Sequence, residues 1–269
     1  TKTPEIAAQI TLQPIDRFEL DAAILFADIM TPLEGMGVPI RFAPGPIIES
    51  PIRSQKDVDG LRPLDPDEGV PFVLDALSIV RSELPKDRSL IAFAGAPFTL
   101  FCYLVQGGGS KDFMDARSFL RGDPEASDAL LNLLGTSMIR YLRAQARAGA
   151  DALMLFDSWV GLLDEKLYRA RIQPVMKNII QEVKAEIDRP IIYFANGGSA
   201  LLEAASEIGA DVIAVDWTRP LHEAVARLGS STVLQGNLDP SALFASRDEL
   251  GQEIDKVLES GMGAAAHIF

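Results

Sequence analysis

Residues 151–196, DALMLFDSWVGLLDEKLYRARIQPVMKNIIQEVKAEIDRPIIYFAN, decide the fold class. The stretch begins and ends with short, continuously apolar runs at 151–157 and 190–196. Between these runs an apolar residue recurs at every fourth position from Val175 to Ile187, as on one face of a helix. Apolar runs without alternation are typical of strands that are buried on both faces. The stretch therefore predicts a strand, a helix and a second strand of a parallel sheet covered by helices.

The same pattern occurs along the whole chain. Further apolar runs are DAAILFAD (21–28), SLIAFAG (89–95), DVIAVDW (211–217), STVLQGN (231–237) and GAAAHIF (263–269). The helical segment between the second and third strands has Asp123 as its N-cap, Pro124 at its first position and Gly149 after its end. Segment 31–63 differs, because it is rich in Pro and Gly and its VPIRFAPGPIIESPI predicts a β-hairpin.

Alternating strands and helices leave two architectures, a doubly wound sheet and a (β/α)8 TIM barrel. No GxGxxG follows the first strand, which disfavours a nucleotide-binding sheet. A barrel closes with eight strands, and the runs at 21–269 supply seven. The sequence also begins TKTPEIAAQ without Met and stops at the apolar AAAHIF. We expect a single α/β domain over 1–269, a (β/α)8 barrel whose first strand precedes Thr1 and whose C-terminal end is incomplete.

Charge and composition exclude several classes of function. The 269 residues carry a formal net charge of −13, which disfavours nucleic acids and anionic membranes as partners. Cys102 is the single cysteine, so the sequence holds neither an internal disulfide nor a thiolate metal cluster. No apolar run approaches the ~20 residues needed to span a bilayer. These features predict a cytoplasmic protein without a thiolate metal cluster.

In a barrel the active site lies at the carboxyl ends of the strands. The polar residues expected at these ends are Asp28, Asp157, Ser158, Asn196, Asp216, Asn237 and Asp239. This set contains no lysine for a Schiff base, no HExxH motif and no Cys/His cluster for zinc. It therefore predicts a ligand that supplies much of its own chemistry.

Five segments carry a resemblance that spans the chain: TLQPIDRFELDAAILFADI, FAGAPFTLFCYLVQGGGS, LFDSW, VDWT and LQGNLDP. In order and spacing they resemble the strand-end motifs of the uroporphyrinogen decarboxylase family. The resemblance implies a (β/α)8 barrel, usually a homodimer. It also implies decarboxylation of the four acetate side chains of uroporphyrinogen III, without metal or cofactor, to give coproporphyrinogen III for haem and chlorophyll synthesis.

The resemblance assigns roles to several residues. Asp28 is similar to the aspartate that binds the pyrrole N–H groups and stabilises a cationic intermediate, and we expect it to be buried. Tyr103 is similar to a tyrosine that contacts the substrate or this aspartate, and Ser158 to a serine that binds a substrate carboxylate. Apolar walls for the macrocycle are expected at Phe26, Ile29 and Phe156. QGGGS (106–110) corresponds to a flexible loop at the mouth.

Two elements of the family pattern are absent from the sequence. An RQAGRY-type segment, whose arginines bind substrate carboxylates and include a favoured proton donor, would precede Thr1. An NLGHG motif would begin after Phe269, and His267 is not its histidine. The chain as written is therefore expected to bind an octacarboxylate poorly.

Structural interpretations compete with these roles. Asp28 could cap the following segment, and Tyr103 and Ser158 could be a core tyrosine and a capping serine. We expect Asp157, Asp216 and the GNLDP turn (236–240) to be architectural, Cys102 to be a buried apolar residue, and His222 and Arg219 to lie on the surface. Two other functions remain open: a related zinc- or corrinoid-dependent methyltransferase barrel and a non-catalytic tetrapyrrole-binding homologue.

Overall fold

The computed structural model describes residues 2–269 and places a seven-stranded parallel sheet at the centre of the chain. The strands are β1 (Ala22–Ile24), β2 (Ile40–Phe42), β3 (Pro46–Ile48), β4 (Ser89–Gly95), β5 (Ala152–Asp157), β6 (Ile191–Ala195), β7 (Val212–Ala214), β8 (Val233–Gln235) and β9 (Ala266–Ile268). The sheet order is β1-β4-β5-β6-β7-β8-β9, so its strands follow one another as they do in the sequence. All seven predicted strands are present.

Helices connect the strands of this sheet. They are α1 (Pro4–Arg17), α2 (Thr31–Gly35), α3 (Gln55–Asp59), α4 (Pro66–Gly69), α5 (Pro71–Glu83), α6 (Pro97–Gln106), α7 (Met114–Gly122), α8 (Pro124–Arg147), α9 (Glu165–Leu167), α10 (Gln173–Glu186), α11 (Leu202–Ser206), α12 (Leu221–Leu228) and α13 (Arg247–Gly261). The Asp123 carboxylate accepts a 3.1 Å hydrogen bond from the Ala126 N–H, as the predicted N-cap of α8 should. Pro174 lies in the first turn of α10, after a π-helical segment at Tyr168–Ile172.

The two faces of the sheet bury different sets of side chains. One face packs into the helices and carries residues such as Leu155 and Tyr193. The other face forms a separate apolar cluster that includes Met154 and Ile192 from neighbouring strands. Because successive strand residues point to opposite faces, this arrangement explains why the strands are apolar without alternation. The second cluster lies on the inner face of a sheet that curls like part of a barrel.

The predicted hairpin is present in segment 31–63. Strands β2 and β3 pair antiparallel with Ile40 opposite Ile48. The Ile48 N–H donates a 2.9 Å hydrogen bond to the Gly107 carbonyl, and Ile47 forms a bridge with Gly108. The hairpin is thus attached to the Gly-rich loop that follows α6.

Strand β1 is shorter than predicted, ending at Ile24 rather than Asp28. After the Leu25 N–H donates to the Ile91 carbonyl, the chain leaves the sheet. The Phe26 N–H instead donates a 2.9 Å hydrogen bond to the Thr11 hydroxyl of α1. Residues 26–28 therefore form a loop, which determines the environment of Asp28.

The ends of the sheet differ from a closed barrel. Within residues 2–269, β1 is paired with β4 and β9 with β8, and no ladder joins β1 to β9. The structure thus shows a curled seven-stranded α/β sheet of TIM-barrel type. In the described part of the chain, no helix is both long and apolar enough to traverse a bilayer.

Candidate active site at the carboxyl ends of the strands

Three aromatic rings lie side by side on the inner face of the sheet. Phe93, Phe156 and Phe194 come from the neighbouring strands β4, β5 and β6 and are all partly buried. The Phe93 and Phe156 ring centroids are 5.3 Å apart at 84°, and those of Phe156 and Phe194 are 6.1 Å apart at 89°. Edge-to-face contacts of this kind hold the rings in fixed orientations. They form an aromatic floor, which we define as Phe93, Phe156 and Phe194.

Only one member of the aromatic floor, Phe156, was identified from the sequence. Phe93 and Phe194 look like ordinary core residues in their apolar runs. The signal that could have found them is the alternation of side chains between the two faces of a strand. Phe194 is in register with Phe156. Gly95 is also in register with Phe156, and Phe93 lies two residues before Gly95. The three residues therefore share one sheet face.

Asp28 is exposed, so the prediction that it is buried was wrong. Its Oδ1 accepts a 2.8 Å hydrogen bond from the Met30 N–H, and its carbonyl accepts one from the Thr31 N–H. These bonds shape the turn into α2. The physical reason for the exposure is the early end of β1, which lifts residues 26–28 out of the sheet. Within residues 2–269 no hydrogen bond is made to its Oδ2.

A cleft of about 510 Å³ opens beside Asp28. The residues that line it are Lys2, Ala7, Leu25, Phe26, Ala27, Asp28, Met30, Thr31, Glu34, Ile40, Phe42, Phe72, Val73 and Ala76. Phe26 is 47% exposed there, so its ring is available to a ligand. Lys2 and Glu34 form an ion pair of 3.1 Å in the wall of the cleft.

Ile29 connects the Asp28 loop to the sheet. It packs against the main core, and a Cβ built on Gly95 would lie 3.3 Å from the Cβ of Ile29. A side chain at position 95 would therefore push Ile29 away. Gly95 is in register with Phe156, so Ile29 lies near the aromatic floor.

Tyr103, on α6, is partly buried between two aromatic side chains. Its ring lies 5.5 Å from that of Phe113 and 6.2 Å from that of Trp159, both edge-on. Burial raises the pKa of the Tyr103 hydroxyl, the Trp159 indole lowers it, and the Asp28 carboxylate raises it. The last effect shows that Tyr103 and Asp28, predicted to act together, lie within electrostatic range of each other.

Ser158 follows β5 and is partly buried. Its carbonyl accepts a 3.2 Å hydrogen bond from the Asn196 side chain, which joins the ends of β5 and β6. Within residues 2–269 its hydroxyl forms no hydrogen bond. Ser158 lies in the turn directly after β5, one residue beyond the end of the strand.

Asp157 lies on the side of the sheet that packs against the helices, opposite the aromatic floor, and is fully buried. Its carboxylate accepts hydrogen bonds from the Thr99 hydroxyl at 2.9 Å and the Tyr193 hydroxyl at 2.8 Å. The Tyr168 hydroxyl in turn donates to that of Tyr193 at 3.4 Å. Burial raises the pKa of Asp157 to about 6, although both of its hydroxyl partners act to lower it. Asp157 faces the helices and is architectural, as predicted.

The remaining polar strand ends are also architectural. Asp216 accepts hydrogen bonds from the Gly197 N–H at 2.9 Å and the Thr218 N–H at 2.8 Å. The Asn237 side chain donates to the carbonyls of Asp216 and Arg219. These contacts tie the loops after β6, β7 and β8 together and confirm the structural interpretation of Asp216. Asp239 likewise caps the 3-10 turn at Pro240–Phe244.

Three further interpretations from the sequence are confirmed. Cys102 is fully buried, and burial raises the pKa of its thiol. His222 is exposed and contacts Ser260, while Arg219 forms a surface ion pair with Glu223 at 3.5 Å.

Among residues 2–269, no three His, Cys, Asp or Glu side chains come together in a way that could hold a metal ion.

A family model described as uroporphyrinogen decarboxylase matches residues 1–269. The chain belongs to the uroporphyrinogen decarboxylase family. The family predicted from the five sequence motifs is thereby confirmed, and with it the enzyme class, a carboxy-lyase.

Relatives named uroporphyrinogen decarboxylase match the full length of the chain. The protein of Sorangium cellulosum is 46% identical over 270 residues, which cover 100% of this chain and 77% of the relative. That of Thermus thermophilus is 45% identical over 270 residues, with 100% and 78% covered. That of Carboxydothermus hydrogenoformans is 44% identical over 270 residues, with 100% and 77% covered.

Solved structures show the same fold at low sequence identity. A methyltransferase from Methanosarcina mazei superposes with a TM-score of 0.78 at 18% identity, covering 99% of this chain and 79% of the other. A B12-independent methionine synthase from Shewanella sp. W3-18-1 gives a TM-score of 0.62 at 9% identity, covering 98% and 79%. At such identities the likeness concerns the fold alone, and it supports a TIM-barrel-like sheet for this member of the uroporphyrinogen decarboxylase family.

Proposed function

We propose that this chain decarboxylates the four acetate side chains of uroporphyrinogen to give coproporphyrinogen. The observation that carries the proposal, beside family membership, is the position of Asp28. It is a carboxylate in the loop after β1, with Oδ1 held by the Met30 N–H and Oδ2 open to a ligand. Phe26 is exposed in this loop, and Ile29 joins the loop to Gly95, the strand partner of Phe156.

The chemistry of the substrate explains why a single carboxylate suffices. Protonation of a pyrrole α-carbon turns the ring into a cation, which accepts the electron pair released as CO2 leaves. A proton then adds to the resulting methylene carbon to give the methyl group, and the α-carbon loses the proton that it had gained. The substrate is then its own electron sink, and the protein supplies binding, orientation and charge. A carboxylate facing the converging pyrrole N–H groups can accept several charge-assisted hydrogen bonds, each contributing about 1.5–3 kcal/mol. We assign this role to Asp28, which stabilises the cation through its fixed negative charge.

The exposure of Asp28 changes how its role is understood. The pyrrole N–H groups do not relieve an unfavourable burial of the carboxylate, since the Asp28 side chain is exposed in this structure. Instead the macrocycle, on covering Asp28 and the aromatic floor, displaces water and strengthens the interaction of the carboxylate with the pyrrole N–H groups. Tyr103 and Ser158 provide hydroxyl groups for the substrate at the neighbouring strand ends.

We further propose that the complete protein forms a closed (β/α)8 barrel as one domain. Strands β1 and β9 each have an unpaired edge within residues 2–269. Apolar side chains stand at both edges, with Ile24 49% exposed and Ile268 38% exposed. An eighth strand between these edges would pair with both and cover the two side chains.

The alternative enzyme, a zinc- or corrinoid-dependent methyltransferase, shares the fold but not the sequence. The methyltransferase from Methanosarcina mazei is 18% identical to the chain, whereas the named decarboxylases reach 46%. The non-catalytic tetrapyrrole-binding alternative is disfavoured by the presence of Asp28, Tyr103 and Ser158 together. Homodimerisation, a cytoplasmic location and independence from metals come from the family and are part of the proposal.

An anaerobic assay of the full-length natural protein tests the proposal. Uroporphyrinogen is incubated with the enzyme in the presence and absence of EDTA, and coproporphyrinogen and CO2 are measured. We expect equal conversion in both conditions. Loss of activity in EDTA would favour the zinc enzyme, and binding of porphyrinogen without release of CO2 would favour the non-catalytic homologue. Sedimentation of the same protein tests for the dimer.

A further inference from the structure

Within residues 2–269, the indole N–H of Trp159 is a buried donor that makes no hydrogen bond of ordinary geometry. Its Nε1 is shielded from solvent. The ring lies edge-on to Tyr103 with centroids 6.2 Å apart at 69°. Buried donors are nearly always paired, so an unpaired one at the edge of a site needs an explanation.

Trp159 is held firmly from two sides. Its ring packs against Phe113 with centroids 4.6 Å apart. Its backbone N–H donates a 3.4 Å hydrogen bond to the Thr99 hydroxyl, which donates to the buried Asp157 carboxylate. The indole therefore has a fixed position, which is determined by a polar network outside the substrate site.

Two groups have opposite effects on the pKa of the Tyr103 hydroxyl. The Trp159 indole lowers the pKa of Tyr103, as a donor to the phenol oxygen does, and the Asp28 carboxylate raises it. A phenol has one proton to donate and lone pairs with which to accept. If Trp159 donates to the oxygen, the phenol proton is free to point toward the Asp28 side of the site.

We propose that Trp159 is a positioning residue that directs the Tyr103 hydroxyl proton toward Asp28 and the bound substrate. The indole ring lies beside Tyr103 while its N–H makes no hydrogen bond of ordinary geometry within residues 2–269, and substrate binding brings the phenol oxygen into hydrogen-bond contact with it. Such contacts are often long in free enzymes and shorten in the substrate complex. The inference rests on the proposed function, since it assigns a task to Tyr103 in that reaction.

A double-mutant cycle tests whether Trp159 acts through Tyr103. Trp159→Phe removes the N–H, and Tyr103→Phe removes its acceptor. We expect Trp159→Phe to lower kcat/KM about tenfold in the wild-type background and less than about twofold in Tyr103→Phe. The same loss in both backgrounds would overturn the inference. Tyr141→Phe, in a buried part of α8, is the matched control and should leave the effect of Trp159→Phe unchanged.

The ionisation of Tyr103 supplies a test that needs no turnover. The change in near-ultraviolet absorbance on phenolate formation, with Tyr103→Phe subtracted, reports the pKa of Tyr103. Trp159→Phe should raise this pKa and Asp28→Asn should lower it. If Trp159→Phe is misfolded, benzothienylalanine at position 159 replaces the N–H by sulfur and keeps the ring shape. An unchanged pKa in a folded variant would contradict the inference even if the protein proves not to be a decarboxylase.

Discussion

Asp157 and Tyr193 form a 2.8 Å hydrogen bond across the neighbouring strands β5 and β6, and neither side chain is exposed to solvent. The bond links the strand that precedes Ser158 to the next strand of the sheet. Through Thr99, the same carboxylate also holds the backbone of Trp159. The site is thus supported by a buried titratable group on the far side of the sheet.

The pKa of Asp157 makes the stability of the fold depend on pH. Burial raises this pKa from 3.8 to about 6, so the folded state binds a proton more tightly than the unfolded state. The resulting stabilisation is fully present below pH ~4 and is lost as the pH rises through ~6, a loss of about 3 kcal/mol. Urea unfolding between these pH values should show the free energy of unfolding falling as the pH rises in the wild type, and no such slope in Asp157→Asn. Equal slopes in the two proteins would contradict the assignment.

Tyr193→Phe should destabilise the protein by about 2 kcal/mol, because a buried carboxylate loses a donor. The Tyr193 hydroxyl acts to lower the pKa of Asp157, so its removal should raise that pKa further. The pH at which stability is lost should therefore move upward in urea unfolding curves. Tyr141→Phe is the control: Tyr141 is also buried, but its hydroxyl interacts with Gln145 rather than with Asp157. Tyr141→Phe should leave the pH dependence of stability unchanged. An equally unchanged pH dependence in Tyr193→Phe would refute the predicted upward shift.

Gly161→Ala should disturb the loop that carries Ser158 and Trp159. A Cβ at position 161 would lie 2.6 Å from the carbonyl carbon and oxygen of Gly197, which are backbone atoms and cannot rotate away. We expect about 2 kcal/mol of destabilisation in urea unfolding, together with a higher KM. Gly122→Ala is the matched control, since nothing lies within 4 Å of its added Cβ. Equal stability of the two variants would show that the contact between the loops after β5 and β6 is not needed.

Local patterns in the sequence were sufficient for the strands, the hairpin and the N-cap of α8. Each of these depends on residues close together in the chain. The burial of Asp28 was predicted wrongly because it depends on a contact between Phe26 and Thr11, fifteen positions apart. No local pattern indicates that the Thr11 hydroxyl takes the Phe26 N–H out of the sheet.

Strand register explains what else the sequence left undetermined. Asp157 and Phe156 are adjacent in the chain, and the burial of Asp157 on the helix-packed side follows from alternation and from the partners Thr99 and Tyr193. To predict the aromatic floor, one must know that Phe156 pairs with Phe194 on the neighbouring strand. The family resemblance provided Asp28, Tyr103 and Ser158, but it gave no reason to consider Trp159.

The turnover of Asp28→Asn by the full-length natural protein tests the central claim most directly. Asparagine keeps the oxygen that accepts from the Met30 N–H, so the turn into α2 should be preserved while the negative charge is lost. Coproporphyrinogen formation is followed anaerobically in EDTA, with urea unfolding as the check on folding. We predict a kcat lower by about 10²- to 10³-fold in a normally folded protein. A folded Asp28→Asn enzyme that decarboxylates uroporphyrinogen at the wild-type rate would contradict the account.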